Sequence, residues 1–214
     1  MTHEPTAGTF VATPEKGAVS SLLLRPDGAR VLLVLGHGAS TNLRHATLQT
    51  IAERLAEAGI ATLRYNFPYM ERGGGGRDSQ AVSLATVRAA VAAARSAAPD
   101  LPLLAGGHSF GGRMAALAAA QSPLEGVRGL VFFSFPLHPA GKPGIERAAS
   151  LGEVSVPMLF LSGTRDDLAD LDLLRPVCEN LERAHLHLLD TADHGFHTLK
   201  RTRRSTEDVY EEMA

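Results

Sequence analysis

The sequence predicts an α/β fold in which a mostly parallel central sheet of about seven or eight strands carries helices on both faces and no cap domain. Short apolar runs alternate with longer stretches whose apolar residues recur at helical spacing, which favours parallel strands joined by helical crossovers. Several of these runs are apolar throughout, as is typical of strands buried on both faces. Residues 135–155 connect two late strands and are too few for a helical cap.

Seven apolar runs are interpreted as strands because each is short and bounded by turn-forming residues. They are residues 19–24, 31–35, 60–65, 101–105, 129–133, 157–162 and 186–189. Helices are predicted over residues 48–55, 79–97, 110–121 and 174–181, with a last helix that begins at Ser205 and uses Asp208 for capping. Gly59 and Pro99 mark the ends of the first two helices, and residues 66–76 are predicted to form a loop.

Composition predicts a single globular domain over residues 1–214. The chain is 44% hydrophobic and 21% charged, which is ordinary for a folded domain of this length. A formal net charge of -2 argues against partners such as nucleic acid or an anionic membrane surface. Cys178 is the only cysteine, so no intramolecular disulfide can form, and the first ten residues lack the features of a signal peptide. We therefore expect a cytoplasmic protein.

The segment Gly107-His108-Ser109-Phe110-Gly111 carries the chemistry that the sequence predicts. A G-x-S-x-G pattern places a serine on a sharp turn between a strand and a helix, where side chains two positions away would collide with neighbouring backbone. An apolar strand leads into the pattern, and a helix of small residues leads out of it. The hydroxyl would then stand above the sheet edge beside free helix N–H groups, so Ser109 is the predicted nucleophile.

A nucleophilic serine needs a base and an acid that orients the base, and two later loops offer them. Asp166 follows the penultimate predicted strand and His194 follows the last one, so both should reach the sheet edge that holds Ser109. Asp167 is the alternative acid, and His197 is the alternative base. We expect Asp166 and His194 to be the catalytic pair.

The remaining polar residues near these motifs are expected to be structural. Asp193 should fix the histidine loop, and His108 should pack or hydrogen-bond locally. His185 and His187 alternate on the last strand and are expected to be sheet residues.

Two backbone N–H groups are expected to bind a developing oxyanion. Residues 36–40 follow the second predicted strand, and the N–H of Ala39 would be one donor. Phe110, directly after the serine, would supply the other donor. The candidate residues for lining the substrate site are Phe67, Tyr69 and Leu137, together with Phe110.

The motifs HGAS, GGHSFGG, SGTRDD and DHGF occur in this order and resemble those of the α/β-hydrolase superfamily. Three longer segments resemble its small, lidless dienelactone-hydrolase-like branch, including predicted hydrolases related to the testis-expressed protein thirty. They are YNFPYME (65–71), GGHSFGGRMA (106–115) and FPLHPAGKP (135–143). The resemblance implies serine-type acyl hydrolysis by a catalytic triad, with Ser109, Asp166 and His194 at the family positions. Dienelactone hydrolase itself has a cysteine where this chain has Ser109.

The function predicted from the sequence is hydrolysis of a small carboxylic ester or thioester through an acyl-enzyme. The short segment in place of a cap predicts an open site. No His, Cys or Asp cluster has the spacing of metal ligands, so neither a metal nor another cofactor is expected. Two alternatives stay open: a non-catalytic binding or scaffold protein on the same frame, and acyl transfer to an acceptor other than water. The sequence carries no signature of the oligomeric state.

Overall fold

The computed structural model describes residues 4–73, 75–203 and 208–214, which contain one eight-stranded sheet. The strands are β1 (Thr6–Thr13), β2 (Gly17–Leu24), β3 (Val31–Gly36), β4 (Ile60–Tyr65), β5 (Leu103–His108), β6 (Val127–Phe133), β7 (Met158–Gly163) and β8 (Ala184–Leu189). The helices are α1 (Ala46–Glu57), α2 (Pro68–Glu71), α3 (Gln80–Ala97), α4 (Phe110–Gln121), α5 (Leu171–Glu179) and α6 (Val209–Met213).

The strands lie in the order β1-β2-β4-β3-β5-β6-β7-β8. β1 pairs with β2 and β2 with β4 in antiparallel fashion, whereas every pair from β4 to β8 is parallel. The predicted mostly parallel sheet of seven or eight strands is therefore confirmed.

Helices cover both faces of this sheet, as predicted. Along β3, Leu32 and Val34 point into the larger core cluster, which includes apolar residues of α3, α4 and α5. Leu33 and Leu35 alternate with them and pack into a second cluster with residues of α1 and α6. Successive side chains of a strand point to opposite faces, so an entirely apolar run such as β3 requires a covered face on each side.

The strand order reverses at β3 and β5, and this reversal positions the site. The chain passes from β3 to β4 on one side and then returns to β5 on the other side of β3. The carboxyl ends of β3 and β5 consequently lie side by side, with Gly36 opposite Gly107. In open parallel sheets, ligands bind in the crevice outside the carboxyl ends of the strands at such a reversal.

Several elements differ from the sequence prediction; for example, the helix predicted over 174–181 is α5, which spans Leu171–Glu179. β1 was not predicted, because most of its residues are exposed and it lacks an apolar run. α2 lies within the predicted loop over 66–76 and begins at Pro68, whose fixed φ suits the first turn of a helix. β5 begins at Leu103 and ends at His108, so the strand includes the two glycines that were assigned to the following turn.

The C-terminal helix α6 spans Val209–Met213, and the side chain of Asp208 accepts a hydrogen bond from the Tyr210 N–H. Asp208 is therefore the N-cap of α6 rather than a residue in its first turn. Ser205, the predicted start of the last helix, lies outside the described residues.

The connection between β6 and β7 contains two single-turn 3-10 helices, Glu146–Ala148 and Leu151–Glu153. These short turns are consistent with the predicted absence of a cap domain. Within the three described ranges, no helix has the length and apolar character needed to cross a membrane.

Candidate active site

Ser109 occupies the turn between β5 and α4. Its backbone has φ of 51° and ψ of -111°, a left-handed conformation that non-glycine residues rarely adopt. The Ser109 N–H donates to the Phe133 carbonyl, and the Ser109 carbonyl accepts from the Arg113 N–H one turn along α4. The strained conformation is thus held by the neighbouring strand and by the helix that follows.

The glycines around Ser109 are required by the backbone of β3. A Cβ at Gly107 would lie 2.4 Å from the Gly36 carbonyl oxygen, and a Cβ at Gly111 would lie 2.4 Å from the same atom. Real Cβ atoms do not approach backbone this closely, so neither position admits a side chain without movement of the chain. The collision expected from the G-x-S-x-G pattern is present, and it places Ser109 directly above β3 and β5.

Ser109, His194 and Asp166 form one hydrogen-bonded series. His194 Nε2 lies 2.8 Å from Ser109 Oγ, and His194 Nδ1 lies 2.9 Å from each carboxylate oxygen of Asp166. A carboxylate accepts, so Nδ1 carries the proton and Nε2 is free to accept from the serine hydroxyl. The structure therefore brings together the three residues that the sequence singled out, in the tautomer that suits a base.

The acid loop after β7 separates the two candidate acids. The Asp166 carboxylate is fully buried, and its Oδ1 also accepts a 2.8 Å hydrogen bond from the Leu168 N–H. Asp167 is exposed and, among the described residues, makes neither a hydrogen bond nor an ion pair with His194. His138, from the FPLHP segment, accepts from the Asp170 N–H at 3.0 Å and so fixes the far end of the same loop.

The histidine loop after β8 separates the two candidate bases. His194 is mostly buried, whereas the His197 side chain is 85% exposed. Asp193 Oδ1 accepts from the backbone N–H groups of Gly195 and His197 at 2.9 Å, so this carboxylate shapes the loop, as the sequence suggested.

Comparison with known proteins gives the family of this fold. A sequence profile described as the alpha/beta hydrolase domain matches residues 29–214. The chain belongs to the α/β-hydrolase family. The resemblance read from the HGAS, GGHSFGG, SGTRDD and DHGF motifs is thereby confirmed, while the closer resemblance to the testis-expressed protein thirty stays a prediction.

Solved structures similar to this α/β-hydrolase include two serine hydrolases and a dienelactone hydrolase. An α/β serine hydrolase homologue from Coxiella burnetii has a TM-score of 0.74 and 21% identity, covering 92% of this chain and 91% of its own. A serine hydrolase without a lid from Xanthomonas campestris has a TM-score of 0.73 and 24% identity, covering 97% of this chain and 99% of its own. Dienelactone hydrolase from Anabaena variabilis has a TM-score of 0.71 and 21% identity, covering 97% of this chain and 93% of its own. At these identities the likeness establishes a shared fold.

The α/β-hydrolase site also contains two N–H groups that point to no partner in the described chain. Neither the Ala39 N–H nor the Phe110 N–H donates a hydrogen bond to another described residue. Ala39 lies in the loop after β3, and Phe110 is the first residue of α4, where helical N–H groups have no partner within the helix. Both were predicted as oxyanion donors, and that role stays a prediction.

His37 holds the loop that carries Ala39. This buried imidazole donates from Nδ1 to the Gly38 carbonyl at 2.7 Å and accepts at Nε2 from the Phe67 N–H at 3.0 Å. Burial lowers the pKa of His37 to about 4, so the ring is neutral and can fill both roles. This role of His37 was not predicted, although a histidine between two glycines after a buried strand was a signal.

Tyr69 supports the same loop, because its hydroxyl donates to the Ala39 carbonyl at 2.8 Å. Burial raises the pKa of Tyr69 to about 12, so the hydroxyl keeps its proton. This hydrogen bond holds the loop at Ala39, whose own N–H has no partner among the described residues.

The expectation that Phe67, Tyr69 and Leu137 line the substrate site is wrong for their side chains. All three are at most 1% exposed and belong to the larger core cluster. Phe67 packs edge-on against His37 and Phe110. Phe67 and Tyr69 therefore lie beneath the site and position its loops. Of the four residues predicted to line the site, Phe110 is the most exposed, at 8%.

His108 makes a longer-range contact than the local one predicted. Its Nε2 donates to the backbone carbonyl of His194 at 3.0 Å, which joins the serine turn to the histidine loop. Burial lowers the pKa of His108 to about 4 and keeps the ring neutral. The imidazole of His108 thus holds the backbone of the proposed base.

Proposed function

We propose that this protein is a serine hydrolase that cleaves a carboxylic ester or thioester through an acyl-enzyme. The observation that carries the proposal is the series of short hydrogen bonds from Ser109 through His194 to the buried carboxylate of Asp166. Such a series is the arrangement that turns a weakly nucleophilic hydroxyl into an attacking oxygen. Membership of the α/β-hydrolase family supports hydrolysis.

In the acylation half of this mechanism, Ser109 Oγ attacks the substrate carbonyl carbon and its proton moves to His194 Nε2. The carbonyl oxygen becomes an oxyanion, which the N–H groups of Ala39 and Phe110 stabilise. The bond to the leaving oxygen or sulfur then breaks, and the Nε2 proton passes to that atom. The product alcohol or thiol departs, and the acyl group stays on Ser109 as an ester.

In deacylation, a water molecule gives a proton to His194 Nε2 as its oxygen attacks the acyl-enzyme carbonyl. The bond to Ser109 Oγ breaks, the proton returns to that oxygen, and the carboxylic acid is released. Asp166 holds the ring orientation in both halves and stabilises the imidazolium form, since its carboxylate is buried beside Nδ1.

The experiment uses a fluorophosphonate probe and a short p-nitrophenyl ester on the purified protein. We expect the probe to label one serine, identified as Ser109 by mass spectrometry of the labelled peptide. Ser109→Ala should remove both the label and the esterase activity, a loss on the order of 10⁶-fold in kcat for a triad nucleophile.

Ser122→Ala is the matched control, because Ser122 is an exposed serine at the opposite end of α4. This variant should keep both the label and the activity, and circular dichroism should show that both variants are folded. A wild-type protein that neither takes the label nor turns over any ester would support the scaffold alternative instead.

A further inference from the structure

An open hollow of about 430 Å³ lies beside the serine turn and is lined by basic side chains. Its walls come from the start of α3, from the first turns of α4 and from the segment between α2 and α3. The lining residues that matter for its chemistry are Arg77, Gln80, Ser83, Phe110 and Arg113. Phe110 directly follows Ser109 and also provides the proposed oxyanion donor, so the hollow lies next to the candidate active site.

Arg113 is the central cation of this hollow. It lies one helical turn after Ser109 on α4, about 6 Å along the helix axis. The side chain is half-buried, and its Nε is enclosed without a hydrogen-bond partner among the described residues. Buried donors nearly always have a partner, and a charged donor without one is costly. The same guanidinium group lines the hollow, so an anion bound there would offset its positive charge.

Two further arginines, Arg77 and Arg147, lie near enough to Arg113 for their charges to affect it. The Arg77 guanidinium carbon lies 5.6 Å from the centre of the Phe110 ring, a cation–π contact that holds it over the hollow. Burial lowers the pKa of Arg113, and the positive charges of Arg147 and Arg77 lower it further. The pKa of Arg147 is lowered by burial and then by Arg77. Burial is the larger cause of both shifts, and repulsion between the like charges adds to it.

The described chain does not neutralise this cluster. Within residues 4–73, 75–203 and 208–214, no carboxylate lies within 4.0 Å of the guanidinium of Arg77, Arg113 or Arg147. Asp78 is the carboxylate that lines the hollow. Its Oδ1 is paired with Lys16 at 2.9 Å and Arg72 at 3.0 Å, while its Oδ2 is buried without a hydrogen-bond partner among the described residues. Two cations for one carboxylate leave the region positive.

We propose that this hollow is a subsite for a carboxylate or phosphate group of the substrate, so that the enzyme selects anionic esters or thioesters. The proposal rests on the hydrolase function proposed above and adds the charge of the substrate. Arg113 and Arg77 bind the anion, with Arg147 raising the local positive potential. Guanidinium groups bind both carboxylate and phosphate oxygens through paired hydrogen bonds, so the two anions share one chemistry here.

The kinetic test compares two substrates of equal length. Mono-(4-nitrophenyl) glutarate carries a free carboxylate, and its methyl ester is the neutral counterpart. We expect wild-type kcat/KM to be about tenfold to a hundredfold higher for the anion, the range of a charged hydrogen bond. Arg113→Met and Arg77→Gln should reduce this ratio toward one and leave turnover of the neutral ester nearly unchanged, while Arg113→Lys should keep part of the preference.

Arg128→Gln is the matched control, since it removes one positive charge from an exposed residue of β6, where the strand begins. The ratio should not change in this variant. A change of the same size in Arg128→Gln would assign the preference to net charge and overturn the subsite.

A binding test separates failure of the subsite from failure of the hydrolase function. Glutarate and inorganic phosphate are titrated by calorimetry into Ser109→Ala and into Ser109→Ala with Arg113→Met. Binding that is lost when Arg113 is replaced supports the subsite even if no ester is hydrolysed. Whichever of glutarate and phosphate binds more tightly shows whether the subsite takes a carboxylate or a phosphate group. Equal turnover of the two glutarate esters, together with no binding of either anion, would refute the proposal.

Discussion

Ser109 lies between two regions that are built from different contacts. On the imidazole side, both ring nitrogens of His194 and both oxygens of Asp166 have partners within the chain. On the guanidinium side, Arg113 and Arg77 have no carboxylate partner in the part of the chain that the structure describes. The first region is closed by its own hydrogen bonds, and the second is left positive.

The first region is suited to catalysis, and the second is suited to the selection of a substrate. A proton relay must hold its atoms in place before substrate arrives, so its hydrogen bonds are made within the protein. A specificity site gains from polar groups that are paired only when the correct ligand is present.

The largest effect is expected from Asp166→Asn. The amide would favour the other tautomer of His194, with the proton on Nε2, so that the ring could no longer accept from Ser109. We expect kcat for a neutral p-nitrophenyl ester to fall about 10⁴-fold, by analogy with triads in general. Steady-state kinetics at pH 7.5 measures it.

Asp167→Asn is the control for this variant, because Asp167 is adjacent in the chain but exposed. It should change kcat less than about twofold. If instead Asp167→Asn were the inactive variant, the acid would have been misassigned and the relay described here would not be the working one.

The next effect concerns Gly111, which packs α4 onto β3 and thereby supports both sides of Ser109. In Gly111→Ala the new Cβ would meet the Gly36 carbonyl at 2.4 Å, so helix and strand must separate. Overpacking of this kind lowers the free energy of unfolding by about 1–3 kcal/mol. Urea denaturation followed by circular dichroism measures the loss.

Gly152→Ala provides the comparison for that loss, because a Cβ at Gly152 has no atom within 4 Å. The free energy of unfolding should stay within about 0.5 kcal/mol of wild type. Similar midpoints for the two alanine variants would show that contact with β3 does not constrain the serine turn.

The parallel sheet could be predicted from the sequence because its strands are buried on both faces and read as continuous apolar runs. β1 escaped prediction for the opposite physical reason. It is an edge strand, with residues 6–9 all exposed, and its pairing with β2 depends on a partner rather than on its own apolarity. α2 is only four residues long, too short for a periodic pattern to show.

The candidate relay could be predicted because chain order and sheet topology bring three loops to one edge. The lining of the site could not, because the sequence does not distinguish an aromatic residue in a pocket wall from one beneath it. Phe67 and Tyr69 are of the second kind. Arg113 could have been noticed in the sequence, because it is the one charged residue of α4 and every other residue of that helix is uncharged.

A smaller effect on activity is expected from His108→Phe. The ring volume is nearly kept, but the hydrogen bond to the His194 carbonyl is lost, so the base is positioned less well. We expect kcat to fall about tenfold with KM little changed, since displacements below 1 Å at a base cost this much. His108→Gln, which keeps an N–H donor, should recover part of kcat, and a shift confined to KM would contradict a positioning role.

The last prediction is a pH dependence of stability that comes from two buried histidines near the site, His37 and His108. Burial lowers the pKa values of His37 and His108 to about 4, below the value of about 6.5 in an unfolded chain. Between these values the unfolded state binds protons that the folded state refuses, so the free energy of unfolding falls as the pH falls. Each histidine contributes a slope of up to about 1.4 kcal/mol per pH unit, whereas the guanidinium groups stay charged and contribute none.

Urea denaturation at pH 8, 7, 6 and 5 tests this slope above the range where carboxylates titrate, about pH 4. The free energy of unfolding should be level from pH 8 to 7 and should decline below pH 6.5. His37→Asn, which removes one titrating ring, should have a shallower slope, and His185→Gln, which changes an exposed histidine of β8, should keep the wild-type slope. A level profile down to pH 5 would mean that His37 and His108 are protonated in the folded protein. His37 could then no longer accept from the Phe67 N–H, and the loop that carries Ala39 would be held by other contacts.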